Sequence, residues 1–249
     1  MTTQASTYRW NTSAAAEAYD AAAPVIHPFY EKVQDEILGL LPFGEDEKFE
    51  LVDIGGGSGR LAERVLERFA RACVTVVDQS EPFLALAERR LARFAPRAPC
   101  VQSRLQDDWP AKLSSKPNVI VSTSAIHHLE PEEKQALYKC CFEALVPGGM
   151  FINGDEYRPE SDKELIALLQ EWSTHMHGAI ASGRIPDSFK ATLDFWQDRN
   201  ITRFAEPKKS GDDCHETAAT QIGYLKAAGF RDLKLTWNQK LWGVLLARK

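Results

Sequence analysis

The hydrophobic and polar positions of this chain fall into two alternating patterns. Short apolar runs rich in β-branched residues are typical of buried strands, and longer segments with apolar residues every three or four positions are typical of helices. Residues 49–54 form such a run, glycines follow, and in residues 58–70 the side chains of Leu61, Val65 and Leu66 lie on one predicted helical face. This order of strand, turn and helix predicts the beginning of a parallel α/β sheet.

The same alternation continues to the end of the chain. Further strands are predicted at residues 74–77, 100–103, 118–123, 150–153, 232–237 and 241–246, and helices at 81–94 and 131–145. Asn238 and Gln239 separate the last two strands by a hairpin-length gap. We therefore expect an α/β fold with a doubly wound, seven-stranded, mostly parallel sheet, closed by an antiparallel last strand at its edge.

Two segments carry helical patterns outside this alternation. Residues 1–45 predict two helices joined near Pro24 and Pro28. Residues 157–212 are too long for a structureless loop, and Ser161 with Glu164 has the spacing of a capping box at a helix start. We predict a helical cap there.

These elements predict one domain spanning residues 1–249. Asp213 and Glu216 are expected to form a second capping box, for a helix that ends at Ala228. The predicted parts are the N-terminal helices (1–45), the α/β core (46–156), the helical cap (157–212), and the last helix with the closing hairpin (213–249).

Composition narrows the partners and the location. A chain of 249 residues with 44% hydrophobic residues can bury one sizeable core. Its formal net charge of −5 argues against binding a nucleic acid, since such binding requires basic side chains. The five cysteines are odd in number and lack CxxC spacing, and no signal peptide or membrane span is evident. We expect a cytoplasmic monomer or homodimer that binds a small molecule and neither nucleic acid nor membrane.

The strongest chemical signal is a glycine-rich turn after the first predicted strand. Asp53 is followed by Gly55, Gly57 and Gly59 at alternate positions, which lets the backbone turn sharply and approach a ligand closely. Asp78 ends the second strand, where a carboxylate can accept hydrogen bonds from both hydroxyls of a ribose. Dinucleotide-binding enzymes share these glycines and this carboxylate, so the two features alone leave both classes open.

The turn resembles motif I of the class I S-adenosylmethionine-dependent methyltransferases of small molecules. That resemblance implies S-adenosylmethionine as the cofactor, with Asp53 near its amino group and Asp78 and Gln79 near its ribose. Tyr19, in a Tyr-Asp pair that small-molecule relatives share, is implied as a further cofactor contact. The predicted antiparallel last strand also belongs to this family and is absent from the dinucleotide fold.

The resemblance extends to the adenine and sulfonium regions, with one departure. Where many relatives carry an acidic residue that contacts the adenine amino group, this chain has Arg104. Asp107 or backbone groups near Leu105 are the alternative contacts. Ser122, in the fourth strand, is expected beneath the sulfonium.

A pair of histidines follows the fourth strand, at the edge where such sheets bind ligands. We expect His127 and, second to it, His128 to be catalytic, because a histidine can serve as a base near neutral pH; the alternative is that they cap the next helix or simply pack. Substrate contacts are expected from Asp155, Tyr157, Trp172 and His175.

The sequence thus predicts methyl transfer from S-adenosylmethionine to a small molecule, and leaves the acceptor and the methylated atom open. The alternatives are an NAD(P)-dependent oxidoreductase and a non-catalytic protein that binds the cofactor on the same scaffold. No metal is expected, because the histidines, carboxylates and Cys214 show no known ligand spacing.

Overall fold

The computed structural model describes residues 11–249 and contains one seven-stranded mixed sheet of strand order β3-β2-β1-β4-β5-β7-β6. The predicted doubly wound fold is confirmed. The strands are β1 (Glu50–Ile54), β2 (Cys73–Asp78), β3 (Cys100–Gln102), β4 (Val119–Thr123), β5 (Met150–Glu156), β6 (Arg231–Gln239) and β7 (Trp242–Arg248).

The antiparallel strand lies inside the sheet, and the prediction that it forms the edge was wrong. Strands β1 to β5 pair in parallel, whereas β7 pairs antiparallel with both β5 and β6. The burial of the two last strands explains the order, because β7 is buried along most of its length and β6 is largely exposed. A strand buried on both faces belongs between neighbours, and the more polar strand takes the edge.

Helices cover both faces of the sheet. They are α1 (Ser13–Ile26), α2 (Tyr30–Leu40), α3 (Arg60–Arg68), α4 (Glu81–Leu91), α5 (Pro131–Ala144), α6 (Asp162–Ala181), α7 (Lys190–Gln197) and α8 (Ala218–Ala228). Helices α5 and α8 pack on one face, and the remaining helices contribute to the core on the other. Among residues 11–249, no helix combines the length and the apolar character that crossing a bilayer requires.

The N-terminal helices and the cap helices meet above the carboxyl ends of the strands. Trp172 of α6 packs edge-on against Trp196 of α7 and Trp242 of β7, and its indole N–H donates to the Ile26 carbonyl at 2.7 Å. Residues 1–10 of the predicted N-terminal part lie outside the described residues. The proposed division into four parts stays a prediction.

Three local predictions need correction. Pro24 lies inside α1, and the break before α2 falls at Pro28. Strand β5 continues to Glu156, because its polar residues still pair with β7. The capping box of Asp213 and Glu216 does not form: the Thr217 hydroxyl caps α8 by accepting from the Thr220 N–H at 3.1 Å. A threonine at the N-cap accepts a hydrogen bond from the free backbone N–H groups of the first helical turn, as the predicted aspartate would have done.

Candidate active site

The glycine-rich turn between β1 and α3 brings bare backbone to the edge of the sheet. Gly55, Gly57 and Gly59 all adopt left-handed backbone conformations, with φ of 65°, 53° and 76°. A Cβ atom on Gly55 would lie 2.5 Å from the Cβ of Ala125, which no real side chain tolerates. The turn therefore requires glycine at its first position for space as well as for conformation.

Asp53 is an ionisable side chain without a partner at the end of β1. It is buried, and among the residues that the structure describes no donor reaches either carboxylate oxygen. Burial, and then the negative charge of Asp78, raises the pKa of Asp53 to about 8. Because a buried carboxylate is unfavourable unless a cation compensates it, the position is suited to a positively charged ligand group.

Asp78 is placed by the turn that it helps to hold. Its Oδ2 accepts from the Gly57 N–H at 3.0 Å and its Oδ1 from the Ser80 N–H at 2.8 Å. Burial raises the pKa of Asp78 to about 6 although these backbone bonds oppose it. Each oxygen keeps a lone pair for a further donor, as the predicted ribose contact requires.

A cavity of about 730 Å³ runs along this turn and is the natural ligand cleft. Many of the predicted cofactor contacts line it, together with one of the two predicted catalytic histidines. They are Tyr19, Asp53, Gly55, Gly57, Asp78, Gln79, Arg104, Leu105 and His128.

Three other predicted cofactor residues lie away from the cleft wall. Gly59 is the N-cap residue of α3, immediately before Arg60. Ser122 is buried and donates to the Ile54 carbonyl at 2.9 Å, beneath the cleft floor. Asp107 is exposed and is not part of the cavity lining. These positions give Gly59 and Ser122 structural roles, while the adenine contact of Asp107 remains a prediction without geometric support.

An ionic network that sequence reasoning missed fastens α1 over the glycine turn. Asp20 contacts Arg60 at 2.8 Å and Arg90 at 2.9 Å, and also accepts from the Ser58 hydroxyl. Burial acts to raise the pKa of Asp20, but these hydrogen bonds hold it below its ordinary value. These residues lie far apart along the chain, so no rule based on sequence spacing could predict their contacts. The Tyr19-Asp20 pair was the one feature of the sequence that pointed to this region.

A second and much smaller cavity, of about 50 Å³, lies beside the cleft under the cap helices. Tyr19, Ser124 and His128 line both cavities. The other walls of the second cavity are mostly aromatic or apolar and are provided by Ile26, His27, Trp172, Met176, Phe189, Leu193 and Trp196. Its lining in the described chain includes no lysine or arginine. Its floor is formed by His127, Glu156 and Asp213.

His127 is buried and firmly oriented by one carboxylate. Its Nδ1 lies 2.6 Å from Oδ1 of Asp155, whose Oδ2 accepts from the His127 backbone N–H at 3.1 Å. Burial alone would lower the pKa of His127, but the charges of Glu156 and Asp155 outweigh it and raise the pKa to about 9. In this arrangement His127 holds a proton at neutral pH, whereas a general base must begin without one.

Further ionisable side chains surround His127. Nδ1 of His128 lies 3.3 Å from Oδ1 of Asp213, and Nε2 of His215 lies 2.7 Å from Oε2 of Glu156. Nε2 of His127 lies 4.0 Å from both Asp213 Oδ1 and Glu156 Oε1. Sequence reasoning assigned Asp213 to a helix cap, so the carboxylate at the centre of this cluster was missed.

The predicted substrate residues divide into three groups. Trp172 lines the second cavity. Asp155 does not line it but contacts His127, which does. Tyr157 is buried away from both cavities and donates to the Asn153 carbonyl at 3.1 Å. His175 lies 2.8 Å from the Val25 carbonyl and links α6 to α1. Tyr157 and His175 therefore support the fold, and their substrate roles stay predictions.

The sequence matches a family model described as "Methyltransferase domain" over residues 51–149. A trans-aconitate 2-methyltransferase of Variovorax paradoxus is 31% identical over 133 residues, which is 51% of this chain and 47% of that protein. An uncharacterized methyltransferase of Oceanobacillus iheyensis is 30% identical over 145 residues, 56% of this chain and 62% of that protein. The chain thus spans less than two thirds of the length of these curated relatives.

The fold has counterparts among solved structures. Human N-acetylserotonin methyltransferase in complex with SAM superposes with a TM-score of 0.66 at 16% identity, over 99% of this chain and 59% of the other. PigF with SAH gives a TM-score of 0.62 at 17% identity, over 97% and 61%. At these identities the likeness establishes the shared fold.

Proposed function

Because residues 51–149 match the methyltransferase family model and the fold is shared with a methyltransferase solved in complex with SAM, we propose that the chain is a class I S-adenosylmethionine-dependent methyltransferase, which transfers the methyl group of S-adenosylmethionine to a small-molecule acceptor and releases S-adenosylhomocysteine. The observation that carries this proposal is the buried Asp53 carboxylate without a partner. It stands where the glycine turn exposes bare backbone, next to a second carboxylate at the end of the neighbouring strand.

The residues of the cleft fit the proposed cofactor group by group. Asp53 offers a carboxylate to the ammonium of the methionyl part, which compensates its charge. Asp78 offers both oxygens to the ribose hydroxyls. Leu105 provides an apolar wall for the adenine, and Gly55 leaves space that a side chain would fill.

When bound, S-adenosylmethionine supplies a methyl group that is already activated by the sulfonium. The protein therefore has to align the acceptor and exclude water. Tyr19, Ser124 and His128 form the boundary between the two cavities, so an acceptor in the second cavity meets the cofactor there. The cap helices close this cavity with Trp172 and Trp196.

The second cavity favours a neutral or cationic acceptor with an apolar body. Its surroundings include three buried carboxylates, of Asp155, Glu156 and Asp213, and no lysine or arginine of the described residues lines it. Aromatic walls add apolar contact area. A polyanion would be repelled by these charges, so we propose that the acceptor differs from the trans-aconitate named for the Variovorax relative.

A transfer assay with methyl-labelled S-adenosylmethionine tests this function. Neutral phenols, aromatic amines and trans-aconitate are offered to the wild type and to Asp78→Asn. We expect labelled product with a phenol or an amine, none with trans-aconitate, and much less with Asp78→Asn. Transfer to trans-aconitate alone would overturn the acceptor class, and the absence of transfer to any acceptor in a broad metabolite extract would overturn the activity.

Location and assembly complete the proposal. We propose a cytoplasmic protein, supported by five cysteines that all lie in the described part of the chain and form no disulfide there. We also propose that it acts as a monomer or homodimer and binds neither nucleic acid nor membrane. The net negative charge supports the first of these exclusions.

A further inference from the structure

Five ionisable side chains from three separate segments meet at the floor of the second cavity. His127 and His128 lie in the short helix after β4, Glu156 ends β5, and Asp213 and His215 precede α8. His127, Glu156 and Asp213 are each less than 5% exposed. Two carboxylates in this position call for positive charge, and two neighbouring imidazoles offer nitrogen ligands.

The ligand atoms are close to metal-binding distances. His128 Nδ1 and Asp213 Oδ1 are 3.3 Å apart, and His127 Nε2 is 4.0 Å from that same oxygen. Ligands at about 2.1 Å from one tetrahedral ion are separated by about 3.4 Å. All three ligand atoms lie within 4.8 Å of one another, so side-chain shifts of about 1 Å bring them onto one ion. Oε1 of Glu156 lies 4.0 Å from His127 Nε2, and Glu156 forms a neighbouring group of possible ligands with Asp213 and His215.

Two of these side chains are held by a second partner that leaves the ligand atom facing the cluster. Asp155 holds Nδ1 of His127, so Nε2 points inward. Trp196 and Asn200 donate to Oδ2 of Asp213 at 2.7 and 2.9 Å, so Oδ1 points inward. Such outer contacts are typical of metal sites, where they orient the ligands.

Glu156 gives an independent sign that a cation is required. Its Oε2 contacts His215 at 2.7 Å, whereas Oε1 is buried and accepts no hydrogen bond from any residue in the range 11–249. A buried carboxylate oxygen without a partner carries a desolvation cost that a bound cation removes.

We propose that His127, His128 and Asp213 bind one divalent transition-metal ion, such as Zn²⁺, Mn²⁺ or Fe²⁺, whose charge the buried carboxylate of Glu156 helps to balance. Two imidazoles and a carboxylate form a ligand set that these ions accept while keeping open coordination positions. The open positions face the aromatic cavity, where they bind an oxygen or nitrogen atom of the acceptor; this role, unlike the ion site itself, rests on the proposed methyl transfer. The expectation of no metal rested on the absence of a known ligand spacing, and spacing along the chain does not describe ligands brought together by the fold.

The test compares metal binding in four full-length proteins after treatment with a chelator. They are the wild type, Asp213→Asn, His128→Gln and, as a matched control, His177→Gln. His128 is partly exposed, with 22% of its side-chain surface accessible, so its substitution is the variant that spares the core. His177 also contacts a carboxylate, at 3.2 Å from Asp194, but lies outside the cluster.

Zn²⁺ is titrated by calorimetry, bound metal is counted by elemental analysis, and each protein is also titrated with S-adenosylhomocysteine. We expect one ion per chain in the wild type and His177→Gln, and at least about 10-fold weaker binding in the other two. Equal Zn²⁺ affinity in wild type and His128→Gln, or no specific binding by the wild type, would overturn the site. If the wild type binds S-adenosylhomocysteine but not Zn²⁺, the ion site is rejected and the proposed function stands. If it binds Zn²⁺ but not S-adenosylhomocysteine, only the proposed function is rejected.

Discussion

Replacing Asp53 by asparagine perturbs the least compensated charge in the ligand cleft. The pKa of this carboxyl is about 8 in the folded protein, against an ordinary 3.8. Between these two values the folded state binds a proton that the unfolded state has released, so stability falls as the pH rises from about 4 to about 8. Over the interval from pH 4 to pH 7, at about 1.4 kcal/mol per pH unit, Asp53 lowers the free energy of unfolding by about 4 kcal/mol.

Asparagine does not titrate, so the variant does not lose this part of its free energy of unfolding as the pH rises. The free energy of unfolding of Asp53→Asn should therefore rise relative to that of the wild type, by about 4 kcal/mol between pH 4 and pH 7. Urea unfolding of both proteins at several pH values measures this difference, in which the contributions of carboxylates that do not interact with Asp53 cancel. A difference that stays constant within about 1 kcal/mol across this range would refute the electrostatic reasoning. The same variant should bind S-adenosylhomocysteine more weakly, because the amide cannot neutralise an ammonium.

Three further substitutions test the cleft and the network beside it, and a fourth, in α6, is a control. Gly55→Val would place a Cβ 2.5 Å from that of Ala125. We therefore expect the free energy of unfolding in urea to fall by about 1 to 3 kcal/mol and S-adenosylhomocysteine binding to become undetectable. Gly178→Ala, in open space within α6, should instead raise the free energy of unfolding by about 0.5 to 1 kcal/mol. Asp78→Asn should weaken S-adenosylhomocysteine by about 1.5 to 3 kcal/mol, or about 10- to 150-fold, in a calorimetric titration; unchanged affinity would remove the ribose contact. Asp20→Asn should lower the free energy of unfolding by about 1 to 3 kcal/mol through loss of its two arginine pairs, and wild-type stability would show that the network does not hold α1.

The cofactor half of the site was predictable because its determinants are local. The Asp53 and glycine spacing lies within a few residues of β1, and Asp78 ends the next strand. In a parallel sheet, consecutive strands that are neighbours place their carboxyl ends at one edge. Sequence order is therefore enough to bring Asp53, Gly55 and Asp78 together.

The acceptor half of the site depends on contacts between distant segments. Asp213 lies in a loop whose sequence resembles a helix start, yet Trp196 and Asn200 of the cap region hold its carboxylate beside His128. Periodicity and capping rules describe neighbours along the chain and carry no information about such pairings. The position of β7 inside the sheet escaped prediction for the same reason, since a hairpin pattern does not specify which of its strands pairs with β5.

The central claim is that the cleft beside Asp53 and Asp78 accommodates an adenosyl and a methionyl group. A calorimetric titration of the full chain with S-adenosylhomocysteine, with NADH as the competing ligand, tests it most directly. The account predicts one molecule of S-adenosylhomocysteine bound per chain and no heat from NADH at the same concentrations. Binding of NADH with no binding of S-adenosylhomocysteine would contradict it and favour the oxidoreductase alternative.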